Sequence, residues 1–258
     1  MNHVVICNVA PVCVDELEPV VAAITRQLIE DVQPFWGTRP SLEVMDRQRS
    51  LDFVARDAAA RPQAGTPIFL VSTAQQAGKL ARYLATLGTV RPAVVCLETA
   101  ALWDEPWSIV LSRLAVQAAV AGAASDWVLG VNPEQPRRPA LVYRDICAPA
   151  APGCYWCDGV ALADFLLPTW FDVGPSRRTH FLGCRRRGSF AVNDGGSCVY
   201  FDEVHREMHQ YFGEGAAAVA AVNRFAAYQR VGMVGLPQPP TSLPLPALRF
   251  APRVSLVS

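Results

Sequence analysis

Three groups of side chains in this chain have residue types and spacings that could do chemistry. The first is "CYWC", where Cys154 and Cys157 form a Cys-x-x-Cys pair of the kind used for zinc or for dithiol redox work. The second is "HREMH", which puts His205 and His209 one turn apart if the segment is helical. Together the four residues make a Cys2His2 donor set suited to zinc, although the two pairs are much farther apart than in a zinc finger. The third is "DEPWSIVLSRLAVQAAVAGAA", residues 104–124, an apolar helix pattern that carries Arg113 and Gln117 in its middle. Four residues apart on a helix, these two polar side chains share one face.

Each group also has a plainer reading. A redox dithiol needs a helix N-terminus to lower its thiol pKa, whereas Cys154 and Cys157 lie in strand-and-turn sequence, where residues three apart face opposite sides and do not bond. His205 and His209 read as surface histidines on a polar helix. Arg113 cannot give a lone pair to a metal. It and Gln117 either snorkel at a helix edge or pair with each other or with a carboxylate such as Glu98 or Asp126.

The eight cysteines are scattered, and Cys7 and Cys96 fall inside apolar strand patterns, where a free thiol behaves as a small hydrophobe. Cys13, Cys147, Cys154, Cys184 and Cys198 read as surface-loop cysteines open to cross-linking. With 23 basic and 23 acidic residues the formal charge is zero, which gives no general footprint for nucleic acid. The basic run Arg177, Arg178, Arg185, Arg186 and Arg187 reads as a solvated loop or an interface patch. No apolar run is long enough for a bilayer span, and the N-terminus has no basic leader, so a cytoplasmic start is expected. There is no GxSxG, no phosphate-cradling glycine loop and no dinucleotide fingerprint, and no cofactor is expected.

These groups must be positioned by the following elements. A β-branched run at 3–9 is followed by a helical pattern from Asp15 that closes at Pro34; strands follow at 41–45, 66–72 and 91–98, with a helix at 74–88. After Pro133 and Pro139 the texture becomes short strands and turns, marked by Asp158-Gly159 and by Asn193 to Gly196. Residues 202–230 return to a helical pattern, and a proline-rich tail follows.

The stretch "YWCDGVALADFLLPTWFD", with "FLG" and "DGG" downstream, resembles a family of bacterial and phage-borne hypothetical proteins of zincin-like, HExxE-type metallopeptidase character. The matching residues are Tyr155, Asp158, Gly159, Val160, Asp164, Phe165, Pro168, Trp170 and Phe171. The resemblance implies a helix that carries a ligand histidine, a general-base glutamate and a ligand carboxylate. At the corresponding positions this chain has Arg113, Leu114 and Gln117, none of which can serve those roles. The resemblance therefore implies a degenerate former site.

The expected fold is α+β: a zincin-like mixed sheet with covering helices, then a β-rich C-terminal half and a terminal helix. Residues 1–235 form that domain, with an α/β half at 1–124 and a β-rich half at 125–235. Residues 236–258 form an extended arm whose prolines restrict the unfolded chain. Leu243, Leu245, Leu248, Phe250, Val254 and Leu256 are the arm's anchors for a neighbouring subunit. The expected function is a noncatalytic structural or interaction protein in a large assembly, with a phage virion component first among these. The alternative is a metal-dependent hydrolase or zinc protein using Cys154, Cys157, His205 and His209.

Overall fold

The computed structural model describes residues 2–56, 65–86, 93–120, 127–173, 178–183, 188–202, 204–215, 217 and 221–223. The β-branched opening forms β1 (Asn2–Asn8), and α1 (Val14–Arg26) follows. Leu17, Val20, Ala23 and Ile24 face the core from α1. The helix does not close at Pro34. It widens into a π-helical segment at Gln27–Val32, and α2 (Gln33–Trp36) then continues to Gly37. Proline has no N–H and its ring crowds the carbonyl four residues back, so the wider π turns let the chain pass Pro34 without breaking. The left-handed Gly37, at φ 63°, ends the run.

Strands β2 (Pro40–Met45), β3 (Thr66–Val71) and β4 (Ala93–Cys96) join β1 in the order β2-β1-β3-β4. All three pairings are parallel. This corrects the mixed sheet expected from the sequence, because each strand returns through a helical crossover and none through a hairpin. The crossovers include α3 (Arg47–Arg56), which the sequence reading passed over although Asp46 accepts the Arg49 N–H as its cap, and α4 (Ala74–Thr86). The strands alternate cleanly between the two faces. Val4, Ile6, Ile68, Leu70 and Val95 pack towards α1, and Val5, Cys7, Phe69, Val71 and Val94 pack towards Ala77 and Leu80 of α4.

After α5 (Leu97–Leu102) comes α6 (Trp107–Val120), the helix of the Arg113–Gln117 question. Leu111, Ala115, Val116 and Ala119 are fully buried, and the helix is apolar on nearly every side. It has neighbours on two sides: the parallel sheet with α1, and a hairpin from the second half. A helix that is apolar all round belongs in the middle of a structure.

The second half is antiparallel. β5 (Trp127–Val131), β6 (Pro139–Tyr143), β9 (Ser197–Asp202) and β10 (Glu207–Phe212) form a sheet in the order β10-β9-β6-β5. The chain is therefore α+β, with its parallel and antiparallel sheets segregated along the sequence. Phe190, at φ 60°, lays its ring against Trp170 and over Gly130, where a Cβ would come within 2.3 Å of it. The strand β10 corrects the helix expected over 202–230: Tyr211 and Phe212 suit a pleated sheet, and His209 stacks on Tyr200 of β9 at 5.2 Å. Most of the remaining terminal-helix span, and the whole 236–258 arm, lie outside the described residues.

A separate hairpin of β7 (Cys154–Cys157) and β8 (Val160–Ala163) packs through β8 against α6 and α1. Its two-residue turn is Asp158-Gly159 with φ 50° and 80°, the type I′ geometry that Asp-Gly favours. Antiparallel alternation turns the backbone groups of Ala161 and Ala163 away from β7 and towards the buried side. There, Ser108 Oγ donates to the Ala161 carbonyl at 2.8 Å, Ser112 Oγ accepts the Ala163 N–H at 3.1 Å, and Gln27 Nε2 donates to the Ala163 carbonyl at 2.9 Å. Ser112 Oγ in turn donates to Gln27 Oε1 at 2.7 Å. Two helices thus supply the hydrogen bonds that a third strand would otherwise give.

Because Ser112 and Gln27 are both fully buried, Ser112→Ala strands two polar groups where water cannot replace the hydroxyl. The expected loss is about 1–3 kcal/mol of unfolding free energy, read as a lower urea midpoint at unchanged slope. An unchanged midpoint would mean that the network contributes nothing.

Candidate functional site

The α6 positions singled out in the sequence are occupied as follows. Arg113 Nη2 meets Glu105 Oε1 at 3.0 Å, with the two side chains 19% and 7% exposed. Glu105 lies in the loop before α6, so the pair ties the helix to its own entry. Glu98, considered above as a partner, instead accepts the Ala74 N–H at 2.7 Å and caps α4. Asp126 lies outside the described residues. Leu114 is partly buried against the main core.

Gln117 does not pair with Arg113. Its Nε2 donates to the Arg144 carbonyl at 2.9 Å, and its Oε1 accepts the Ile146 N–H at 2.7 Å. The amide therefore reads the backbone on either side of Asp145 as a neighbouring strand would. Asp145 Oδ1 accepts the N–H groups of Cys147 and Ala148 and so starts the short helical turn Ala148–Ala150. A glutamate at 117 could not accept and donate in this way, which is a structural reason for an amide there.

The four residues of the alternative metal site are not brought together. Cys154 is exposed on one face of β7 and Cys157 half-buried on the other, as strand alternation requires. His205 sits in the turn after β9, where its Nδ1 lies 2.8 Å from Asp202 and holds that carboxyl down at about 2. His209 lies in β10, so the two histidines are not one helical turn apart. Among the described residues no three His, Cys, Asp or Glu side chains gather as metal ligands.

The cysteines divide differently from the sequence reading. Cys7 and Cys96 are buried as expected, and Cys13 and Cys154 are exposed. Cys147 and Cys198 are not surface-loop residues but core ones, at 1% and 2% exposure. Burial raises the Cys147 thiol well above its usual range and pushes Cys198 up to about 12, which makes both inert. Cys184 and four of the five clustered arginines lie outside the described residues. Arg178 donates to the His180 carbonyl and stands over the Phe181 ring.

Sequence reading overlooked two buried titratable groups. Asp164, part of the "DF" pair and 2% exposed, accepts the N–H groups of Phe165 at 2.8 Å and Leu182 at 3.0 Å. Burial raises its carboxyl to about 6, against the pull of these two bonds and of Arg178. His180 is fully buried beside Thr179, and burial lowers it to about 4, partly opposed by the Pro149 carbonyl. Also overlooked was a surface chain in which Ser41 Oγ lies 2.9 Å from His3 Nδ1 and His3 Nε2 lies 3.3 Å from Glu43. Arg49 shares that carboxylate, and the chain sits at the N-terminal ends of the strands, away from the crevice that open parallel sheets use for ligands.

Compared with known proteins, the chain matches no family model, no curated sequence and no solved structure.

Asp164 and His180 shift stability in opposite senses over one pH window. Asp164 is raised in the folded state, so its contribution is complete below pH 3.8 and lost as pH rises through about 6. His180 is lowered, so its contribution is complete above pH 6.5 and lost as pH falls towards about 4. Asp164→Asn keeps an acceptor for both N–H groups and removes only the first effect. The variant should lose about 2 kcal/mol more than the parent between pH 6.5 and 4, measured by urea unfolding across that range; parallel pH profiles would contradict the assignment.

Proposed function

We propose that this chain is a noncatalytic structural and interaction protein. The reading is carried by one observation: the polar side chains of α6 at the former-site positions, Arg113 and Gln117, are engaged in holding the fold. Arg113 ties the helix to Glu105, and Gln117 ties it to the backbone of residues 144–146. Leu114 packs in the core where the resemblance would put a general base. The zincin-like kinship is the evolutionary part of the proposal and rests on the sequence motifs; the wholly parallel sheet weighs against it.

The partner is another copy or another subunit of a large assembly, engaged through the arm at 236–258 and its anchors Leu243, Leu245, Leu248, Phe250, Val254 and Leu256. A phage virion is the assembly that the sequence resemblance favours, with the chain made in the host cytoplasm. Prolines lower the entropy cost of docking such a segment. The alternative zinc protein has no gathered ligand set among the described residues to support it.

The full chain should sediment as an oligomer and contain substoichiometric zinc by elemental analysis. Removing residues 237–258 should leave a soluble folded domain that sediments as a monomer. Stoichiometric zinc lost on changing Cys157 or His205, or unchanged assembly of the shortened chain, would overturn the proposal.

A further inference from the structure

The antiparallel half carries an open groove of about 430 Å³. Its lining includes Val131, Pro133, Pro136, Phe190, Val192 and Tyr211. Phe190 forms a nearly buried floor, Pro136 stands exposed on the rim, and Tyr211 projects from β10. Aromatic and proline side chains around a partly apolar groove are the surface that polyproline II segments fit, because the ligand's rings stack on flat faces and its backbone loses little freedom.

The chain itself contains such a ligand. "LPQPPTSLPLP", residues 236–246, has five prolines and three leucines and no charge. The residues that follow β10 also matter. The Gly213 N–H donates to the Gly196 carbonyl, and the Ala217 N–H meets Asp194 Oδ1. The chain after β10 thus runs beside the segment that continues from the groove wall at Phe190–Val192. Residues 224–235 separate the last described residue, Asn223, from that proline-rich segment.

We propose that this groove is the acceptor for residues 236–246 of a second copy, so that two chains exchange arms. The inference rests on the arm reading above and names the place where the arm docks.

The test uses full-length chains in sedimentation velocity. The arm variant carries Leu243→Glu and Leu245→Glu, and the groove is altered separately by Tyr211→Ala and by the rim substitution Pro136→Glu. Each variant alone should associate about tenfold or more weakly than the parent. An equimolar mixture of labelled arm variant and unlabelled groove variant should form a heterodimer, because one intact arm and one intact groove remain. Groove variants that assemble like the parent while the arm variant does not would overturn the groove and leave the arm reading standing. A mixture that stays as two monomers would overturn exchange between copies. A parent chain that is monomeric throughout would overturn both the groove proposal and the arm reading.

Discussion

The buried edge of β8 is the constraint on which the rest of this structure depends. A two-stranded hairpin cannot bury one of its edges unless the outward N–H and C=O groups find partners. Ser108 and Ser112 on α6 and Gln27 on the π-helical segment provide them. These bonds require α6 to lie between the parallel sheet and the hairpin, and they require Gln27 to point inwards from an otherwise apolar face. The antiparallel half is then tied on through the same helix, where Gln117 holds the backbone at residues 144 and 146.

This explains why a core helix keeps polar residues. Ser108, Ser112, Arg113 and Gln117 each meet a hydrogen-bonding group from a different part of the chain, and together they fix how α6 sits against its surroundings. Leaving any of these buried groups unmade costs more than making it gains, so the set works as a specification of one packing arrangement. The π-helical segment has the same logic. It carries the chain past Pro34 and places Gln27 at Ser112, Asp31 at the Tyr155 hydroxyl, and Arg26, just before it, at Asp158.

Much of the fold was legible in the sequence, and its failures have physical causes. β1, α1, the hairpin turn at Asp158-Gly159 and the buried α6 follow from periodicity and turn chemistry. The parallel pairing was not legible, because periodicity marks strands and leaves their partners open. "HREMHQYF" reads as a helix by the spacing of its histidines, but cross-strand stacking on Tyr200 decides it as a strand. At the candidate site, the sequence located Arg113 and Gln117 but not their partners, since Glu105 and the backbone of 144–146 carry no motif. Gln27 did leave a signal, as the one polar residue on the stripe of Leu17, Val20, Ile24 and Leu28, and so did Asp164 between Ala163 and Phe165.

The central claim is that α6 and Gln27 make the hairpin part of the same cooperative unit as the parallel sheet. Native-state hydrogen exchange at the Ala163 amide, which is bonded to Ser112 Oγ, measures this most directly. The account predicts that this amide opens only with global unfolding, with the same free energy and denaturant dependence as Ile68 and Leu70 in β3. Exchange of Ala163 through a smaller opening, with Ile68 and Leu70 still protected, would show that the hairpin is an independent flap and would contradict it.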